Sequence, residues 1–265
     1  MNPRRRFTVL VMAASRGAGD PVAAGHDLSH KCLVPVAGET MLGRVLGTLD
    51  QSPHVGRVAI SIESPDIINR DSDLAARLTR GNITLIPSAA SPCASVLAAL
   101  DDLDDPWPVL VTTADHPLLS PAMVDHFCDE ALVSEADVAV ALASASCILA
   151  NYPDTKRTFL PFRGERYSGC NLFALMTPRA ARAVDFWRRL EIHRKHPWRL
   201  FRAFGPMAVI RFMAGGMTLA AAFAAASRRL DVAAAAITMP FAEAAIDVDK
   251  PDDLALVDKI LRHRK

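Results

Sequence analysis

Residues 9–42, VLVMAASRGAGDPVAAGHDLSHKCLVPVAGETML, pass from an apolar strand-like run to the start of a helix through a long loop of small residues. That loop carries one arginine, Arg16, and one lysine, Lys31, with little hydrophobic bulk. Structureless loops of this length are uncommon inside compact domains and are usually functional. A small-residue loop between a strand and a helix can aim backbone N–H groups at a phosphate, with the helix dipole assisting. Two standard versions fail here. The dinucleotide fingerprint lacks its third glycine, since Gly17 and Gly19 lead into Asp20, Pro21 and Val22. The P-loop lacks both its second glycine and its hydroxyl, since Gly25 leads to His30, Lys31 and Cys32.

Working outward, apolar and β-branched runs at 7–14, 57–62, 82–86, 108–114 and 136–143 alternate with helix-like stretches at 40–49, 71–80, 95–100 and 121–132. This alternation predicts an α/β fold with a mostly parallel sheet covered on both faces. Ligands of such sheets sit beyond the carboxyl ends of the strands, so the stretches that follow those ends are the candidate site. After about residue 150 the pattern loosens into a loop or hairpin, a strand, a basic helical stretch (178–202) and an alanine-rich segment. The chain then closes with AAIDVDKPDDLALVDKILRHR, which reads as a short strand, a turn and a terminal helix. Without a repeat or a linker, 1–265 reads as one domain whose second half, about 150–240, is elaborated.

Composition narrows the class. Of 265 residues, 51% are hydrophobic and 22% charged, which is globular rather than disordered. A net charge of +1 gives no nucleic-acid signature. The five cysteines (Cys32, Cys93, Cys128, Cys147, Cys170) are scattered, without a CxxC, as in a protein with reduced thiols. MNPRRRFTVLVMAAS imitates a signal peptide, but its apolar run is short and meets Arg16 at once, so a first β-strand of a cytoplasmic protein is expected. The apolar segment 212–227 falls short of the roughly 20 residues that span a bilayer. A buried hairpin or helix is expected there, with contact at a membrane surface as the minor alternative.

MAASRGAGD…SHKCLVPVAGETML resembles the N-terminal signature of the MobA-like nucleotidyltransferase (NTP transferase) superfamily. There a strand leads to a small-residue loop ending in arginine, then a lysine, then L-x-P-V-x-G-x-x-M-L. Leu33 to Gly38 reproduce that run, while Ala13-Ala14-Ser15 replace the usual Ala-Gly-Gly and the interval from Arg16 to Lys31 is long. The resemblance implies a three-layer α/β/α fold with a mostly parallel, Rossmann-like mixed sheet of the nucleotide-diphospho-sugar transferase type. It also implies that Ala13, Ala14, Ser15, Arg16, Gly17 and Lys31 line the nucleotide, Arg16 and Lys31 being the catalytic cations. Nucleotidyl transfer requires charge neutralisation at the α-phosphate and the departing pyrophosphate. Arg16 offers a planar donor fork and Lys31 a compact point charge. Read blandly, each is a solvated surface cation.

Three further stretches match the same superfamily. VLVTTADHPLLSP (109–121) places Asp115 past a strand end, where the family's aspartate holds Mg²⁺, with Thr113 and Ala114 beside the nucleotide. A carboxylate there suits a hard cation that prefers oxygen ligands. The alternative is a cap or turn aspartate, but Ser120 and Pro121 already supply the next helix start. AAIDVDKPDD (244–253) resembles the second metal motif, with Asp247 as the second Mg²⁺ ligand and Asp249 close behind. Period-2 alternation would put both on one face of a strand, and Asp252 and Asp253 would open the terminal helix. SAASPCASVLAAL (88–100) offers Ser95 as a helix cap that also faces the base, and YSGCNLFAL (167–175) offers Gly169 and Asn171 to the acceptor or, blandly, a turn.

Between 179 and 202 eight Lys/Arg residues face Asp185 and Glu191, with Trp187 and Trp198 among them. This reads as a solvated face, or as a surface that admits a phosphorylated acceptor through Arg188, Arg189, Arg194 and Lys195. The expected protein is a Mg²⁺-dependent nucleotidyltransferase joining an NMP group from an NTP to a phosphorylated small-molecule acceptor and releasing pyrophosphate. A metal-dependent glycosyltransferase using DVD at 247–249, and a non-catalytic nucleotide-binding or membrane-surface protein, are the alternatives.

Overall fold

The computed structural model describes residues 6–15, 19–80, 83–191, 210, 212 and 216–264. Strand β1 (Phe7–Met12) is apolar on both faces because it lies at the centre of a parallel array, between β4 (Val55–Ile62) and β6 (Val109–Thr113). β5 (Ile83–Pro87) extends the parallel set beyond β4. On the other side, β9 (Glu165–Leu175) runs antiparallel between β6 and β7 (Val138–Ser144), and β10 (Ala234–Thr238) pairs parallel with β7. The sheet order is β10-β7-β9-β6-β1-β4-β5, with β8 (Leu160–Phe162) joined to β9 as a hairpin. Helices cover both faces, so the architecture is the mixed, mostly parallel three-layer fold expected from the alternation.

The helix starts are chemical. Thr40, Ser91 and Ser120 each accept a backbone N–H at the start of α2 (Met41–Leu49), α5 (Pro92–Asp102) and α6 (Pro121–Val133). Pro92 and Pro121 occupy first-turn positions, where a missing N–H costs nothing. The short pair β2 (Pro35–Val36) and β3 (Glu39–Thr40) is a hairpin whose turn residues Ala37 and Gly38 both have positive φ, 48° and 88°. The Pro-Val-Ala-Gly run therefore makes a tight primed turn directly after Lys31.

Four readings are corrected. Residues 246–250 are not a strand: a 3₁₀ turn (Ala242–Ala245) gives way to loop, because the Val248 N–H bonds Asp115 O and the Asp249 N–H bonds the Asp253 carboxylate. Ser95 is not a cap: the helix begins earlier, behind Ser91, and Ser95 is buried in its first turn, accepting the Ala89 N–H at 2.8 Å. Asn171 does not begin a strand but sits inside β9, at an irregularity in the β7–β9 pairing, with φ 51°. Leu219–Leu230 of the alanine-rich segment form a helix, α9, but none of its residues is fully buried, against the buried form expected, and α10 (Pro251–His263) closes the chain with Asp252 and Asp253 in its first turn. No described helix is long and apolar enough to cross a membrane.

Candidate active site

The central strands β1, β4 and β6 end together at Met12, Ile62 and Thr113, and the loops beyond them converge. Ala13 and Ala114 extend the sheet pairing, their N–H groups bonding Ser61 O and Met12 O at 2.9 Å. Lys31 opens a 3₁₀ turn (Lys31–Leu33), and its ammonium reaches across to the opposite loops. Its Nζ lies 2.6 Å from Asp115 Oδ2, 2.7 Å from Val248 O and 3.3 Å from Asp249 Oδ1. Lys31 is thus no solvated surface cation. It ties the loop after β6 to the loop before α10.

Asp115, Asp247 and Asp249 each present a carboxylate oxygen, and these oxygens all lie within 4.8 Å of one another. Three converging oxygen donors at a strand terminus fit the preferences of a hard divalent cation. Asp247 is held on all sides. Its carboxylate accepts from Arg157 and, at 2.8 Å, from Asn171 Nδ2, and its backbone oxygen accepts from Arg157 Nη2 at 2.8 Å. Burial and the neighbouring Asp115 charge push the Asp247 carboxyl up, against the pull of Arg157. Asn171 reaches Asp247 from the irregular step in β9, and such steps re-aim side chains. Behind Asp115, His116 is fully enclosed. Burial pulls its imidazole down to about 4, although Asp247 and Asp115 oppose this, so the ring is neutral and its Nε2 donates to Glu243 O.

The structure brings together Lys31, Asp115, Asp247 and Asp249, all singled out in the sequence, and adds Asn171, expected at the acceptor, as a partner of Asp247. Sequence reading missed Arg157, whose side chain is only 8% exposed. A lone arginine in the polar run PDTKRT gives no signal until the fold closes over it. Arg16 and Gly17 lie outside the described residues, as do Arg194, Lys195 and Trp198. Ala14 is exposed and Thr113 half-buried at the strand end, while Gly169 pairs with Leu142 farther along β9. Arg188 and Arg189 both pair with Asp185 on their own helix, α8 (Ala181–Glu191).

Residues 9–152, more than half of the chain, match the model of the MobA-like NTP transferase domain. The chain belongs to that family. This MobA-like NTP transferase domain protein is 28% identical over 148 residues to 2-C-methyl-D-erythritol 4-phosphate cytidylyltransferase of Thermobifida fusca (strain YX). That match takes in 55% of this chain and 58% of the relative's length. A hypothetical transferase structure from Thermus thermophilus superposes with TM-score 0.78 at 27% identity, covering 94% of this chain and 99% of that one. A CMP:2-keto-3-deoxy-manno-octonic acid synthetase complexed with CTP shares the fold, with TM-score 0.60 at 13% identity over 98% of this chain and 100% of that one.

Proposed function

We propose that the protein is a nucleotidyltransferase that joins the NMP group of an NTP to a phosphorylated small-molecule acceptor and releases pyrophosphate. The observation that carries this reading is the meeting of Lys31 with Asp115, Asp247 and Asp249 at the carboxyl edge of the sheet. These carboxylates would hold Mg²⁺, which when bound supplies positive charge to the phosphates. An acceptor phosphate oxygen forms the new bond to the α-phosphorus, the bond from the α-phosphorus to the bridging oxygen breaks, and pyrophosphate departs with that electron pair. The acceptor phosphate is already ionised near neutral pH, so no general base is required. Lys31 places a fixed ammonium beside the developing charge, where preorganisation counts most, and Arg16, the neighbouring cation in the sequence, is assigned the same task.

The cytidylyltransferase relative makes CTP the first nucleotide to try. The test is pyrophosphate release and product mass with each NTP, a panel of phosphorylated sugars and polyols, and Mg²⁺ present or absent. Release with one NTP is expected, with Lys31→Met lowering kcat by about 10²–10³-fold. Glycosyl transfer from a nucleotide sugar without pyrophosphate would overturn the reading in favour of a glycosyltransferase.

A further inference from the structure

The long loop that opens the chain is closed at its base by a residue that the reaction has not yet used. Glu63 is the first residue beyond β4, and the sheet fixes the backbone that leads into it. The Ser61 carbonyl accepts the Ala13 N–H at 2.9 Å, and the Ile62 carbonyl accepts the Ser88 N–H at 3.0 Å. From this rigid base the two oxygens of Glu63 take different ends of the loop. Oε1 accepts the backbone N–H of Ser15 at 2.7 Å, and Oε2 accepts His30 Nε2 at 3.0 Å. Because a carboxylate only accepts, Nε2 carries the proton, and the other ring nitrogen lies 2.9 Å from Ser29 Oγ. His30 is 9% exposed, so its ring is held by packing as well as by this bond.

The two stapled residues are the chain neighbours of the two cations assigned to the phosphates. Ser15 directly precedes Arg16, and His30 directly precedes Lys31. We infer that Glu63 is a positioning residue for nucleotidyl transfer, which sets the separation of the two ends of the phosphate-binding loop and so places Lys31. This inference rests on the nucleotidyltransferase reading. A carboxylate beside a triphosphate site repels it, so a side chain kept there for mere solvation would be a liability. Bonded by its two oxygens to Ser15 and His30, it joins the two ends of the loop and spends its charge on a histidine and an amide. Misplacing a catalytic cation by about 1 Å costs on the order of 100-fold in rate.

The experiment compares wild type with Glu63→Gln and Glu63→Ala in three readouts: kcat and KM for the NTP, amide hydrogen exchange across residues 13–31, and melting temperature. Gln keeps an acceptor for the Ser15 N–H, whereas Ala removes both contacts. The expected result is that Glu63→Ala lowers kcat about 10–100-fold and raises exchange within 13–31 and not elsewhere, with Glu63→Gln recovering part of the rate. Unchanged exchange in Glu63→Ala would overturn the inference whether or not the enzyme turns over. An improved KM for the NTP would overturn it too, since Glu63 would then be a competitor of the phosphates. A fall in melting temperature with kcat and KM intact would reduce Glu63 to a structural bond. Failure of the wild type to release pyrophosphate would sink the functional reading instead, and the exchange data would still judge the staple.

Discussion

Arg157 is the cation that holds Asp247 within the acidic cluster. It donates to the side chain and the backbone of Asp247 and lies 3.3 Å from Asp253 Oδ1, with 8% of its side chain exposed against 19% for Asp247. Removing one partner of a buried pair leaves an uncompensated charge, which costs about 3–5 kcal/mol. Arg157→Met is therefore expected to lose about 3–5 kcal/mol in urea unfolding, and the double variant with Asp247→Asn to recover most of it. A loss below about 1 kcal/mol, as for exposed pairs, would show that water already screens the contact. The contrast with Lys31 and Asp115 explains what a sequence can show at this scale. Both lie in motifs that can be read locally, Asp115 just past the end of β6 and Lys31 shortly before the Pro35–Gly38 turn, so the sequence singles them out. Arg157 acquires its role from a partner 90 residues away, and no local pattern encodes that distance.

At the scale of elements, one aspartate at the entrance to β7 links the ends of three paired strands. Asp137 accepts the Thr177 hydroxyl at 2.6 Å, from the chain leaving β9, and the Ala233 N–H at 2.9 Å, from the chain approaching β10. Those bonds, the Thr177 hydroxyl foremost, hold the Asp137 carboxyl below the usual carboxylate range, with Arg179 and Arg182 assisting and burial opposing. The folded protein therefore binds this proton less readily than the unfolded chain. The resulting stability is present above about pH 4, the ordinary aspartate range, and is lost as pH falls through the lower folded value. Asp137→Ala is expected to cost about 1–3 kcal/mol at pH 7, with its deficit against wild type shrinking on acidification below about pH 4. A deficit independent of pH would assign the effect to packing. Of the strands that Asp137 joins, β10 was missed, its Ala-Ala-Ala start merging with the alanine-rich segment, while β7 and β9 were legible as strands. Their neighbours were not, because the apolar pattern of β9 carries no sign that it inserts antiparallel between β6 and β7.

At the scale of the whole molecule, the site exists only when distant segments meet. Lys31 touches Asp115 from the middle of the chain and Val248 and Asp249 from its end, while a small apolar cluster that includes Val34, Val36, Ile246, Val248 and Val257 packs the same segments together beneath. The alternation of strands and helices made the sheet legible from the sequence. The period-2 reading put Asp247 and Asp249 on one face of a strand, whereas loop bonds to Asp115 and Asp253 are what bring them beside Asp115. Such a site should be stabilised as a unit by its ligand. A nucleotide with Mg²⁺ at 100 times its Kd adds about 2.7 kcal/mol, roughly 5–10 °C in Tm for a chain of this size. Asp249, 40% exposed and the least enclosed of the three carboxylates, gives the sharpest discrimination. Asp249→Asn removes one of three converging negative charges at constant size, so without ligand its Tm should hold or rise, as it does when a functional site is relieved of repulsion. The same variant should lose most of the Mg²⁺-dependent nucleotide shift. Opposite signs for the two effects would mark a site whose carboxylates are kept together for a cation at the expense of stability. A shift equal to that of wild type would remove Asp249 from the proposed metal site and leave that proposed task to Asp115 and Asp247.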